Sequence, residues 1–376
     1  MPTVVSVFGV EPNRIGGTET FARELSLQLG KKGYKSVLCF ETTPPPDVAQ
    51  FLDLPNVELV ILKNPANFNW SATKRFIQII NQYNPEILHL HFIGFIGLFP
   101  WLARILSVKK VFFTDHSSRP EGYVPITASF LKRRLVRLIN YPITKVICVS
   151  QFGLRCMRTL DVLPADRYEL VYNAVDVSRV SPDQTRGDKF RKRYSIPKDK
   201  KLLAQISWII PDKGILDLIE VARLLNEAEP DIHFVIVGEG PYREEYMKKA
   251  DDLGLSNITW TGLMKDPFQE GVFDAADIVC QLSRWEELFG WMIAEAMAFG
   301  KPVIATRVGG IPELIVDDGP GVLVERGDSS EVAERIIRLL ANPELARTMG
   351  RKGQQAVAEH FNLATNVRKL LVSYGL

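Results

Sequence analysis

The sequence predicts an α/β protein built from two doubly wound parallel sheets, one in each half of the chain. Short apolar runs alternate with helix-like stretches up to about residue 175. A polar stretch carrying Pro182, Gly187 and Pro197 follows, and the alternation then starts again. A length of 376 residues suits two domains. The charge is also divided. Residues 1–175 hold 20 Lys+Arg against 13 Asp+Glu and the remainder 26 against 31, so a net +2 conceals a basic first half and an acidic second half.

The elements follow in order. Val4–Val10 reads as a buried first strand because it is an unbroken apolar run, the pattern of a strand covered on both faces. A Gly-rich turn and a helix through Gly30 come next. Ser36–Glu41, Val57–Leu62, Ile87–His91, Lys110–Thr114, Val146–Ser150 and Glu169–Tyr172 continue the strands of the first half. Ile87–Ala103 is long and apolar, but His89, His91, Gly94, Gly97 and Pro100 spoil a membrane span, so it reads as strand, loop and buried helix. After the linker, Leu202–Ser207, His233–Val237, Ile258–Trp260, Ile278–Leu282, Pro302–Thr306 and Gly321–Val324 are strands. A helix is expected from about Ile215 to Glu227, and the chain is helical in pattern from about Ala356. The expected domains are 1–178, 179–355 and a helical tail, 356–376.

The composition narrows the class. An apolar share of 46% is ordinary for a soluble globular protein. Glu11 and Arg14 follow the first apolar run at once, so no signal peptide is expected. Cys39, Cys148, Cys156 and Cys280 lack metal-ligand spacing and read as buried thiols, which fits a reducing cytoplasm. Leu131–Leu138 places Lys132, Arg133, Arg134 and Arg137 among leucines. It reads either as a basic amphipathic helix for anionic lipid or as the solvated face of an ordinary helix.

The chemistry concentrates in Ser283–Gly300. Glu287 and Glu295 lie eight residues apart, with Phe289-Gly290 between them where a helix is expected to start. Gly290 permits close approach of a ligand to the backbone, and a helix start offers N–H groups and a positive dipole end to phosphate. Eight residues at helical rise span roughly 12 Å, about the distance from a sugar across a diphosphate to a ribose. An amphipathic helix with a charged edge is the alternative, since Trp291, Ile293, Ala294 and Met297 also suit a core.

This segment resembles the E-x7-E motif of retaining GT-B glycosyltransferases, family 4 in particular. The resemblance implies two Rossmann-like domains facing each other across a cleft, a final helix that returns to the first domain, Glu287 on the donor sugar and Glu295 on the ribose. Leu288, Phe289 and Gly290 would line the diphosphate through their backbone. Gly16-Gly17 follows the first strand as in that family, bordering donor phosphate and acceptor. His116, at the end of Lys110–Thr114, matches a histidine that points toward the donor sugar, whereas His89 and His91 read as packing or cleft lining. Lys213-Gly214 resembles half of the family's Arg…Lys-Gly diphosphate clamp, but the arginine position holds Trp208, which is uncharged and donates one hydrogen bond. Arg284 is a candidate substitute. Gly238 in Val237-Gly-Glu-Gly-Pro241, Leu263 after Gly262, Val308-Gly-Gly-Ile-Pro-Glu313 and Asn173 with Asp176 complete the matches, in family order from Gly16 to Glu313.

The resemblance implies transfer of a hexose from a nucleoside-diphosphate sugar, UDP by family frequency, to a glycan or lipid-linked acceptor with retention. No Asp-x-Asp occurs, so neither a metal nor another cofactor is expected, nor a nucleic-acid partner. The expected location is cytoplasmic, with peripheral contact at the inner membrane face. The rival readings are a nucleotide-sugar epimerase or phosphorylase, a non-catalytic nucleotide-sugar-binding subunit kept open by Trp208, and a nicotinamide oxidoreductase. The last is disfavoured because Arg243 holds the third fingerprint glycine position.

Overall fold

The computed structural model describes residues 1–65, 69–127, 129–228, 231–316 and 319–376. The chain divides into two compact units. Unit 1 comprises Met1–Ser117, Val124–Asn173 and Leu363–Leu376; unit 2 comprises Ser118–Tyr123 and Ala174–Asn362.

Unit 1 is a seven-stranded sheet of β1 (Thr3–Phe8), β2 (Lys35–Phe40), β3 (Val57–Ile61), β4 (Ile87–His91), β5 (Lys110–Asp115), β6 (Lys145–Cys148) and β7 (Tyr168–Leu170). The order is β3-β2-β1-β4-β5-β6-β7 and every pairing is parallel. Parallel sheets are covered by crossover helices on both faces, which is why their strands are continuous apolar runs. All six residues of β1 and all five of β4 are buried. The core joins Val5, Val7, Val37, Leu88, Leu90, Val111 and Val146 to Phe76, Ile79 and Ile80 of the helix Trp70–Tyr83.

Unit 2 repeats the design with β8 (Lys201–Ile206), β9 (Ile232–Val237), β10 (Ile258–Gly262), β11 (Ile278–Gln281), β12 (Val303–Thr306) and β13 (Val322–Val324). They are ordered β10-β9-β8-β11-β12-β13, again all parallel. In each sheet the order reverses beside the first strand, between β1 and β4 and between β8 and β11. Loops leaving the carboxyl ends of strands at such a reversal diverge and leave room for a ligand.

Two boundaries differ from those expected. The division falls between Asn173 and Ala174 rather than at 178/179. The backbone N–H of Val175 already donates to Phe361 O within unit 2, at 2.9 Å. The tail is two helices, Pro343–His360 and Leu363–Tyr374. The first stays with unit 2: Gly353 packs on Met297, and Gln354 donates to Ala298 O at 3.3 Å. Only the second belongs to unit 1, where Gln28 donates to Ala364 O at 2.9 Å. The Ser118–Tyr123 excursion into unit 2 has no local sequence signal.

Candidate active site

In unit 2 the loops after β8 and β11 flank the reversal in strand order and carry most of the residues singled out above. The β8 loop runs through Trp208 to Lys213-Gly214. Gly214 has φ 66°, and a Cβ there would lie 1.7 Å from Leu282 O, so only glycine allows the β8 loop to press against the β11 loop. That contact brings Lys213 to Glu287. Their Nζ–Oε1 separation is 2.5 Å, with side-chain exposures of 22% and 9%. Ser283 Oγ also donates to Glu287 Oε1, at 2.7 Å, and Ser118 Oγ donates to Oε2 at 3.3 Å. Glu287 is thus a buried carboxylate held by one cation and two hydroxyls.

Glu286 does different work. Its carboxylate accepts from Gly309 N–H at 2.7 Å and Gly122 N–H at 3.2 Å, and pairs with Arg326 at 2.5 Å. Its backbone exchanges two hydrogen bonds of 3.0 Å with Arg119. Gly309, at φ 54°, sits so close that a Cβ would lie 2.1 Å from Glu287 O, while Gly310 N–H donates to the same oxygen at 2.7 Å. The Val308–Glu313 segment therefore props the Glu286-Glu287 backbone, and Glu286 pins the Ser118–Tyr123 excursion beside it.

The helix Trp291–Ala298 starts at Gly290, its N-cap, in the left-handed conformation at φ 91°. Leu288 and Phe289 are buried, and Phe289 stacks edge-on with Phe361, so these two residues offer a ligand only backbone. Glu295 is half-buried on the second turn. Gly238 follows β9, its N–H donating to Gly262 O at 3.0 Å. Next to Gly262, Leu263 is exposed.

The position that departs from the clamp pattern is open: Trp208 is 53% exposed. Arg284 does not stand in for the missing guanidinium. Its Nε and Nη2 donate to the two oxygens of Asp217 at 2.9 and 2.7 Å, so its charge is spent on the helix Ile215–Ala228.

The remaining candidates lie in unit 1. Gly16 caps the helix Gly17–Lys31, but its N–H donates to Glu19 Oε2 at 3.0 Å, so the helix's own carboxylate already occupies part of this anion-binding end. His116 follows β5, stacked on Phe92 with ring centroids 4.1 Å apart and its Nε2 3.2 Å from His91 Nδ1. Burial pushes the His116 imidazole down to about 3, and His89 and His91 are held well below the usual histidine range, first by burial and then by their histidine neighbours. All three are neutral at physiological pH. His89 bridges Tyr374 and Thr114 through its two ring nitrogens, which ties the C-terminal helix to the sheet. The sequence carries no sign of the Ser283 and Ser118 contacts, and it named the three histidines without showing that they lie side by side. The i, i+2 spacing of His89 and His91 places both on one face of β4, where their ring centroids lie 3.9 Å apart. No cluster among the described residues is able to hold a metal ion.

The chain matches two family models, "Glycosyltransferase Family 4" over residues 15–179 and "Glycosyl transferases group 1" over residues 187–356. It is 31% identical over 283 residues to alpha-D-kanosaminyltransferase of Streptomyces kanamyceticus, covering 72% of each chain. It is 28% identical over 360 residues to N-acetyl-alpha-D-glucosaminyl L-malate synthase of Bacillus anthracis, covering 92% of this chain and 90% of that one. Among solved structures, a glycosyltransferase from Rickettsia africae matches at TM-score 0.82 with 22% identity, over 99% of this chain and 97% of that one. Anabaena HepE, solved with UDP and glucose, matches at TM-score 0.80 with 20% identity, over 100% and 99%. The chain belongs to the glycosyl transferases group 1 family and is a GT-B glycosyltransferase of family 4.

Proposed function

We propose that this enzyme transfers a hexose from a nucleoside-diphosphate sugar, with UDP as the nucleotide, to a glycan or lipid-linked acceptor with retention at the anomeric carbon. The observation that carries this reading is the Lys213–Glu287 pair at the mouth of the reversed sheet, one step ahead of a helix that bears Glu295. The solved HepE complex with UDP and glucose supports the choice of nucleotide. Glu287 receives the sugar hydroxyls in place of Ser283 and Ser118. Lys213 turns from Glu287 to the diphosphate, where charge develops as the bond to the sugar breaks. Backbone at Phe289-Gly290 and the first turn of Trp291–Ala298 take the phosphate oxygens, and Glu295 takes the ribose. His116, neutral, serves as a hydrogen-bonding group toward the sugar.

The acceptor hydroxyl adds to the anomeric carbon on the face from which the phosphate leaves, and its proton passes to the departing phosphate oxygen. No side chain is required as nucleophile, and no metal is routed into the step. The basic helix Phe130–Ile139 supports peripheral contact with the inner membrane face. No helix of the described residues is long and apolar enough to cross a membrane.

The test is thermal stability with UDP, GDP, ADP, UDP-glucose, GDP-mannose and NAD. A ligand at a hundred times its dissociation constant adds about 2.7 kcal/mol. A selective shift with UDP and UDP-glucose is expected, and Glu295→Ala abolishes it. A shift with GDP or ADP alone overturns the choice of nucleotide. Transfer without any change in nucleotide affinity in Glu295→Ala overturns the ribose assignment.

A further inference from the structure

Two neighbouring helices of unit 1 turn an apolar stripe away from the core. In the helix Phe130–Ile139 only Val136 is buried. At roughly 100° per residue, Leu131, Leu135 and Leu138 fall on one stripe about 140° from Val136. They are 80%, 58% and 62% exposed. The helix Phe99–Ile105 buries Phe99, Pro100 and Ala103 and exposes Trp101 and Ile105 on one face, in line with exposed Leu98 at its N-cap. Phe99 packs into the core and Phe95 packs against it. The two helices are joined: Trp101 Nε1 donates to Ile139 O at 2.7 Å, and Arg104 Nε donates to Pro142 O at 3.0 Å. Core-packed helices normally present polar residues outward, and exposed apolar side chains normally occur singly. Here both helices turn several apolar side chains to solvent, and the Trp101–Ile139 bond holds the two elements side by side.

The charge on this surface selects its occupant. Lys132 and Arg134 flank the leucine stripe and meet no carboxylate among the described residues, whereas Arg133 and Arg137 are both spent on Asp161 at 2.5 Å. Between the helix Phe99–Ile105 and the loop that follows Phe130–Ile139 lies a groove of about 440 Å³ lined by Trp101, Arg104, Tyr141, Thr144 and Arg167. Both arginines bond to loop carbonyls, Arg167 through Nη1 to Tyr141 O and Ile143 O. The Arg167 guanidinium also lies over the Tyr141 ring, 5.4 Å from its centroid, and neither arginine meets a carboxylate among the described residues. Burial, then the charge of Arg167, pulls the Arg104 guanidinium below its usual range. A second copy of this chain on a two-fold axis would set these cations against themselves. An anionic lipid surface would complement them and accept the leucines.

We propose that this two-helix face docks on an anionic bilayer, with Leu131, Leu135, Leu138 and Ile105 below headgroup level and a lipid phosphate in the groove beside Arg104 and Arg167. The proposal gives the membrane contact suggested above a defined surface and stands on unit 1 alone, so it holds whichever acceptor is used. The test is flotation of the full chain with phosphatidylcholine vesicles, with and without about 30% phosphatidylglycerol. Binding should be at least about tenfold stronger to the anionic vesicles and should weaken with salt. Leu135→Glu and Ile105→Glu, both at exposed positions, should each reduce it about tenfold while leaving UDP binding and the melting curve unchanged. Arg167→Gln should narrow the preference for anionic over neutral vesicles. Absent or equal binding to the two vesicle types, or binding retained in Leu135→Glu, overturns the proposal. A concentration-dependent dimer lost in Leu135→Glu would assign the face to a second copy and overturn it as well.

Discussion

Replacing Lys213 with Met removes a charge from a nearly buried pair and keeps most of the side-chain volume. Glu287, 9% exposed, would then keep its charge with only the Ser283 and Ser118 hydroxyls as donors. Removing one partner of a buried ion pair costs about 3–5 kcal/mol. The two surviving hydroxyls and the 22% exposure of Lys213 reduce this to about 2 kcal/mol here. For a unit of this size that lowers the melting temperature by about 4–8 °C. A chain of two units need not melt in one step, so the transition to read is the one that UDP shifts. The double variant Lys213→Met with Glu287→Gln removes the orphaned charge and should recover about half of the loss. On transfer, the single variant should lower kcat/KM about a hundredfold, or about 2.7 kcal/mol of transition-state stabilisation. Calorimetry on the four proteins of the cycle checks the stability, and initial rates check the chemistry. If the two substitutions add within about 0.5 kcal/mol, the pair is not coupled and the reasoning fails.

Two more predictions follow from neighbouring groups. Glu286→Ala deprives the Gly309 and Gly122 N–H groups and Arg326 of their acceptor, so donor KM should rise about tenfold with a smaller fall in kcat. Glu286→Gln keeps an acceptor and should restore most of the loss, and unchanged donor kinetics in the alanine variant would remove Glu286 from the site's support. His116 has a folded-state value of about 3 against 6.5 unfolded, so the unfolded chain binds the proton first and stability falls as pH drops from about 6.5 toward 3. At pH 5 this one group costs about 2 kcal/mol relative to pH 7, and His89 and His91 act in the same direction. Denaturant melts at the two pH values check this, with His116→Phe predicted to flatten the slope; equal stability at both would refute a neutral buried histidine.

The sequence alone located the strands, because a strand covered on both faces reads as a short, largely apolar run and the chain shows thirteen such stretches at α/β spacing. It also singled out Glu287, Glu295 and Lys213, since their types and spacings are local features. The tertiary structure decided the partnerships. Glu287 meets Lys213 across 74 residues and Ser118 across 169, and no local pattern records such distances. Arg284, adjacent to the motif in sequence, proved to be bound to Asp217 because the fold sets the start of the helix Ile215–Ala228 against it. The outward leucine stripe was legible as an amphipathic pattern, but periodicity marks an apolar face without saying whether core or solvent lies against it. Only the packing of Val136 on the opposite side determined that the leucines face outward.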